Sequence, residues 1–227
     1  MRVSLILALT LSSLAPMMLA KEDADQRLNS AADVMSDMMN ASDKGIPQDL
    51  INKSQCVVVV PGMKKAAFVF GGKYGKGFVM CRRSGGAGWS APAAIRVEGG
   101  SVGFQIGGSE QDVILLVMNH SGMDKLLKDQ FTVGGEGTVS AGPVGRDASA
   151  QTDAMMRAEM LSYSRSRGVF AGISLQGATM RQDDDADAEL YGRKVNNREI
   201  LSGEVKAPAS AAKLESLMNK TSMHKDR

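Results

Sequence analysis

Between Cys56 and Asn119 the chain alternates short apolar, β-branched runs with glycine and proline, and no other feature constrains the fold as much. The runs are "CVVVV", "AAFVF", "GFVMC", "AAIRVEG", "SVGFQIGG" and "DVILLVMN". Val, Ile and Phe fit a pleated, buried surface, and Gly or Pro between them punctuates it, so the pattern predicts an antiparallel meander. Further on, "FTVGGEGTVSAGPVG" is glycine-rich. "AMMRAEMLSYSRSRGVFAGISLQGATM" then reads as two more long strands around a turn at Arg167-Gly168. Glycines inside strands mark bends and bulges, which predicts a strongly curved, mostly antiparallel sheet or a barrel-like core.

Helical periodicity is confined to the flanks. Over residues 21–45, Leu28, Ala31, Ala32, Met35, Met38 and Met39 recur at three- and four-residue spacing with acidic residues between them, an amphipathic helix that packs its stripe on the body. "GIPQDLINKS" restarts a short helix with Pro47 at its first turn. "SGMDKLLKDQF" reads as another, with Ser121 as N-cap and Asp124 imitating a capping box. The tail segment "APASAAKLESLMNK" places Ala211, Leu214, Leu217 and Met218 on one side, and residues 221–227 read as frayed. Strands in the middle and helices at the ends make the expected class α+β.

The stretch "FVFGGKYGKGFVMCRR", Phe68 to Arg83, tempts a phosphate-loop reading. Its only Gly-Lys pair, Gly75-Lys76, is followed by Gly77 and Phe78, so no hydroxyl is placed to hold magnesium. A dinucleotide fingerprint would open a helix, whereas strand chemistry follows here. The residues fit a hairpin in which Ala67–Phe70 and Phe78–Cys81 flank a glycine loop, with Lys73 and Lys76 at its tip.

Residues 1–20 have the form of a secretory leader: Met1-Arg2, an apolar stretch from Val3 to Leu14 too short to span a bilayer, and Ala20 before "KEDADQR". The expected location is periplasmic or extracellular, and the remainder suits one domain over 46–220 behind the first helix. In an oxidising compartment Cys56 and Cys81 could close a loop worth roughly 3 kcal/mol; two buried free thiols are the alternative. The formal charge of +2 gives nucleic-acid binding no support, so any electrostatic role must come from local patches.

Three motifs of catalytic or metal type lack their context. Gly99–Gly103 matches G-x-S-x-G around Ser101, but strand chemistry continues through Ile106 and His120 is the only histidine available as a base. Asp183, Asp185 and Asp187 keep the alternate spacing of a calcium loop, yet Ala188 and Lys194 stand where glycine and glutamate are required. A solvated helix N-terminus accounts better for that acidic run. No catalytic residue, metal or cofactor is expected.

Basic residues are more suggestive: Lys64-Lys65 in a turn after Pro61-Gly62, Lys73 and Lys76 on the hairpin, Arg82-Arg83 after it, and Arg165 with Arg167 at a later turn. If those loops share one end of the sheet they form a cationic rim suited to phosphate head groups. Scattered solubilising charge is the alternative.

The segments "KKAAFVFGGKYGKGF", "GWSAPAAI", "GGSVGFQIGGSEQDVILLVMN", "EMLSYSRSRGVFAGISLQGA" and "LYGRKVNNREIL" resemble, in this order, the landmarks of the SYLF-domain family. The resemblance runs from about Ile46 to Leu217. It implies a non-catalytic module that binds anionic phospholipids, known in endocytic adaptors also for actin binding, and here an exported stand-alone bacterial branch. The family's basic positions fall on Lys64, Lys65, Arg165 and Arg167. Actin binding is not expected in an exported chain. Two readings follow: a peripheral binder of anionic membrane surfaces, or a carrier or structural envelope protein enclosing an apolar ligand in its curved sheet.

Overall fold

The computed structural model describes residues 23–41, 45–83, 88–144, 158–166 and 169–222, with backbone alone described at 67–70, 101–107 and 222. The expected leader, the end of the tail and Arg167 lie outside the described residues.

Helix α1 (Ala24–Asn40) starts at Asp23, whose carboxylate accepts from Gln26 N at 2.6 Å, satisfying one of the helix's orphan donors. Its stripe of Leu28, Ala31, Ala32, Met35 and Met38 is buried as the spacing predicts. Helix α2 (Gln48–Lys53) follows Pro47. Next come β1 (Cys56–Cys81), β2 (Ala93–Val117), α3 (His120–Leu126), β3 (Gln130–Thr132) and β4 (Val139–Ala141). They are followed by β5 (Met160–Ser166), β6 (Val169–Gly172), β7 (Ala178–Gln182), α4 (Asp184–Tyr191) and α5 (Asn197–Leu201). A single 3₁₀ turn (Ala209–Ala211) leads into α6 (Ala212–Ser222).

The predicted α+β class holds, with a curled, half-barrel sheet and helices at both ends. The strand order is β3-β7-β2-β5-β4, with β1 on β2 and β6 on β5; β4 pairs parallel with β5 and the other described strand pairs are antiparallel. The expected meander of short strands is corrected. Six apolar runs merge into two strands of 26 and 25 residues paired antiparallel from Cys56 opposite Val117 to Val79 opposite Ala93.

The glycine loop expected between Phe70 and Phe78 is corrected as well. A strand of 26 residues would reach roughly 80 Å if straight. Its end residues, Cys56 and Cys81, nevertheless have Cα atoms 4.0 Å apart and share a disulfide. Strand β1 therefore doubles back on itself while staying paired with β2, and its register shifts at Val60/Met63 and Ala67/Val69 mark the bends. Glycines let the two halves approach. A Cβ on Gly77 would run into the Val59 carbonyl and sit 2.8 Å from Val60 Cα, and one on Gly75 would sit 2.7 Å from Val60 Cγ1. The glycine run serves neither phosphate nor turn; it serves a close crossing.

Both faces of the sheet are covered. Val57, Val59, Phe78, Met80, Ile114 and Leu116 pack with the stripes of α1 and α6. The alternate residues Val58, Val60, Val79, Leu115 and Val117 pack with Phe131, Met160, Met180, Ile200 and Leu201. Strands buried on both faces read as unbroken apolar runs, which explains "VVVV" and "VILLV".

Candidate functional site

Of the six head-group candidates, Arg167 lies outside the described residues and the other five divide into two sets. Lys64 and Lys65 are exposed and lie on β1 itself, opposite Glu110 and Ser109, instead of in a turn after Gly62. Neither has an ion-pair partner among the described residues. Lys73, also on β1, is only 8 % exposed, and its Nζ donates to the Gln176 carbonyl at 3.0 Å. Burial lowers its affinity for a proton, and the Lys65 charge lowers it further. Strand β1 brings the ammonium groups of Lys65 and Lys73 within electrostatic reach of each other. Among the described residues a carbonyl is the one polar partner of Lys73, which leaves a buried cation incompletely compensated. Next to Lys73 in sequence, Tyr74 is 47 % exposed; the sequence reading passed over this aromatic.

The second set is consumed by carboxylates. Lys76 Nζ lies 2.6 Å from Asp183 Oδ2, whose side chain is 2 % exposed. Arg165 reaches Asp112 Oδ2 through Nε at 2.8 Å and Nη2 at 2.7 Å, and its Nη1 bonds Asp37 of α1. Asp112 also accepts from Gly62 N at 2.9 Å. One guanidinium thus joins β5, the first bend of β1 and helix α1. Burial raises the Asp112 pKa against the Gly62 bond, and the Glu110 charge adds to the rise.

Arg82 is structural in another way. Its guanidinium stacks 4.5 Å from the Trp89 ring centroid and donates to the carbonyls of Ser54, Ile51 and Asn52, covering the exposed carbonyl end of α2. A lysine could not fork in this manner.

The motifs of catalytic type fall on ordinary structure. Ser101 lies inside β2 opposite Gly71, so no strand-to-helix turn raises it, and His120 opens α3 as an exposed residue. The Asp183–Glu189 run does begin helix α4, but the solvated-terminus reading is corrected in part: Asp183 and Asp187 are buried, at 1 % and 0 % exposure. On one face of the sheet Met63, Val60, Phe131, Leu175 and Met180 pack together in a buried cluster. A cleft of about 450 Å³ between α4 and α5 is lined by Asp184, Asp185, Lys194, Asn196 and Glu199, with Ala188 and Val195. No helix among the described residues is long and apolar enough to cross a membrane.

The family model Ysc84, described as Las17-binding protein actin regulator, matches residues 98–221. The chain belongs to the Ysc84 family. This is the SYLF resemblance already read from the landmark segments. An SH3 domain-containing protein of Schizosaccharomyces pombe is 34 % identical over 177 residues, covering 77 % of this chain and 41 % of that protein. The SH3 domain-containing YSC84-like protein 1 of Xenopus laevis is 34 % identical over 182 residues, with 79 % and 54 % covered. Protein YSC84 of Saccharomyces cerevisiae is 32 % identical over 173 residues, with 75 % and 36 % covered. This Ysc84-family chain therefore spans about half the length, or less, of these relatives. None of the three is named as an enzyme.

Proposed function

We propose that this Ysc84-family chain is a non-catalytic phospholipid-binding protein of the cell envelope, exported by the leader at residues 1–20, that meets anionic head groups through the exposed Lys64 and Lys65, with the charge of the buried Lys73 adding to theirs. The observation that carries the reading is the division of the basic residues. Lys76 and Arg165 are neutralised by Asp183, Asp112 and Asp37, whereas the three lysines along the bend of β1 have no carboxylate partner among the described residues. Phosphate oxygens would supply the missing counter-charge, and Tyr74 beside them has the amphipathic form suited to a head-group layer. The acidic face of α1 is not available for lipid: Asp37 holds Arg165 and Asp33 holds Lys213 at 2.5 Å. Actin, which the family description names for relatives, is not assigned to this chain.

The reading predicts flotation with vesicles containing phosphatidylglycerol or cardiolipin, no flotation with phosphatidylcholine alone, and release as salt is raised, because exposed charge pairs are screened beyond about 8–10 Å at 0.1–0.15 M. Equal recovery on neutral and anionic vesicles, or binding indifferent to salt, would exclude the cationic contact.

A further inference from the structure

Strand β7 leaves the edge of β2 at Gln182, which pairs with Ile95, and one residue earlier on β2 the backbone of Ala94 would be without partners. Three groups from the C-terminal helical segment replace the strand there. Asp183 N donates to Ala94 O at 3.1 Å, Asn197 Nδ2 donates to the same carbonyl at 3.1 Å, and Asp187 Oδ1 accepts from Ala94 N at 2.8 Å. In an extended strand the N–H and C=O of one residue point to the same edge. The Asp187 carboxyl and the Asn197 amide, bonded to those two groups, therefore stand side by side.

Each of these two side chains has one oxygen left over. Asp187 Oδ2 and Asn197 Oδ1 are both buried, in residues 0 % and 1 % exposed, and neither has a hydrogen-bond donor among the described residues. The Asn197 amide cannot be reversed to resolve this, because its nitrogen is fixed by the Ala94 carbonyl and a flip would set oxygen against oxygen. Two neighbouring buried acceptors are unfavourable unless a hydrogen lies between them.

We propose that Asp187 is protonated in the closed protein, that its Oδ2–H donates to Asn197 Oδ1, and that loss of this proton loosens the α4–α5 segment from the sheet. The electrostatic surroundings agree. Burial pushes the Asp187 carboxyl up to about 7; the Ala94 amide opposes this, and the charges of Asp183 and Asp184 add to the rise. The cation that reaches this cluster, Lys76 from β1, is taken by Asp183. Tyr191 of α4, which also senses the Asp187 charge, spends its hydroxyl on Pro92 O at 2.7 Å. From α5 the neutral Asn197 faces Asp187, and from β7 Gln182 accepts from Asn197 N at 3.1 Å. The segment so held buries Val195, Ile200 and Leu201 in the cluster that contains Phe131, Met160 and Met180, so its release exposes apolar surface.

The sign follows from linkage. A carboxyl whose pKa is higher when closed than when open favours the closed form most at low pH, and the advantage is lost as pH rises between the two values. From the ordinary 3.8 to about 7, the opening constant of the segment rises by up to tenfold per pH unit and levels off above 7. Glu159 does not contribute in that window. Burial acts to raise its pKa, but bonds from Lys125, Ser121 and the Thr138 amide, with the Lys125 charge, hold it down to about 2.

The test is hydrogen exchange of the amides of residues 183–201 between pH 5 and 8.5 in the full chain, with the intrinsic base-catalysed rate divided out. The wild type is expected to lose protection up to pH 7 and then plateau. Asp187→Asn, whose Nδ2 can donate permanently to Asn197 Oδ1, is expected to show no such slope. A flat wild-type profile, or the same slope in Asp187→Asn, overturns the proposal. The wild type also carries a readout that needs no variant: the ¹³Cγ shift of Asp187 should titrate near neutrality, and a midpoint below 5 overturns the proposal even if the substituted chain fails to fold.

Discussion

The two ends of β1 and its middle are made of similar residues and are treated in opposite ways. At the ends, Cys56 is bonded to Cys81, Gly77 lies against the Val59 carbonyl, and Lys76 is neutralised by a buried Asp183. In the middle, Lys64 and Lys65 are exposed and Lys73 is buried against a lone carbonyl. The contrast separates architecture from contact: lysines three residues apart, Lys73 and Lys76, differ because one meets a carboxylate and the other does not. Compensated charges hold the doubled strand closed. In the proposed function, the lysines without an ion-pair partner among the described residues are the ones that meet lipid.

Breaking the closed end should have the largest effects. Gly77→Ala puts a methyl group into backbone that cannot step aside, since both obstacles belong to β1 itself. It is expected to lower unfolding stability by at least about 3 kcal/mol in a urea titration, and a loss under about 1 kcal/mol would show that the crossing is looser than described. Replacing Cys56 and Cys81 together by Ser should cost about 3 kcal/mol, because the unfolded chain regains the freedom of a loop with a sequence separation of 25. Lys76→Met leaves the Asp183 carboxylate buried without its cation. With Lys76 itself 23 % exposed, the expected loss is about 2 kcal/mol, below the fully buried range. Changing Lys64, Lys65 and Lys73 to Ser, by contrast, should alter stability by about 1 kcal/mol or less, since two are surface residues and the third gives up a poorly compensated charge. If the triple change unfolded the protein as Gly77→Ala should, the distinction between the two regions would fail.

Much of the periodic structure was legible. The stripe of α1, the apolar side of α6 and the β character of residues 56–119 follow from spacing and residue type, and the curved sheet from glycines inside strands. What could not be read depends on distant partners. Asp112 lies 53 residues from Arg165, Asp37 lies 128, and nothing local to Arg165 distinguishes it from Lys64. The glycines of "FGGKYGKGF" fit a turn and a close crossing equally well, because loop freedom and close backbone approach call for the same residue, and the Cys56–Cys81 closure separates the two uses. At α3 the candidates were adjacent. Asn119, not Ser121, caps the helix by accepting from Gly122 N at 2.9 Å, while Ser121 donates to Glu159. Two capping residues in one turn cannot be ranked without knowing which has a competing partner.

In the proposed function the lysines at the bend of β1, and not the protein's cations in general, meet anionic lipid. The direct measurement is the affinity of the intact protein for phosphatidylglycerol vesicles at low salt, compared with the Lys64, Lys65, Lys73 to Ser variant and with a charge-matched control in which the exposed Lys53, Lys206 and Lys220 are changed to Ser. At about 1 kcal/mol per lysine near an anionic surface, the first variant should lose roughly a hundredfold in affinity, and the control should stay within about threefold of wild type. Equal losses in the two variants, or no loss in the first, would contradict the account.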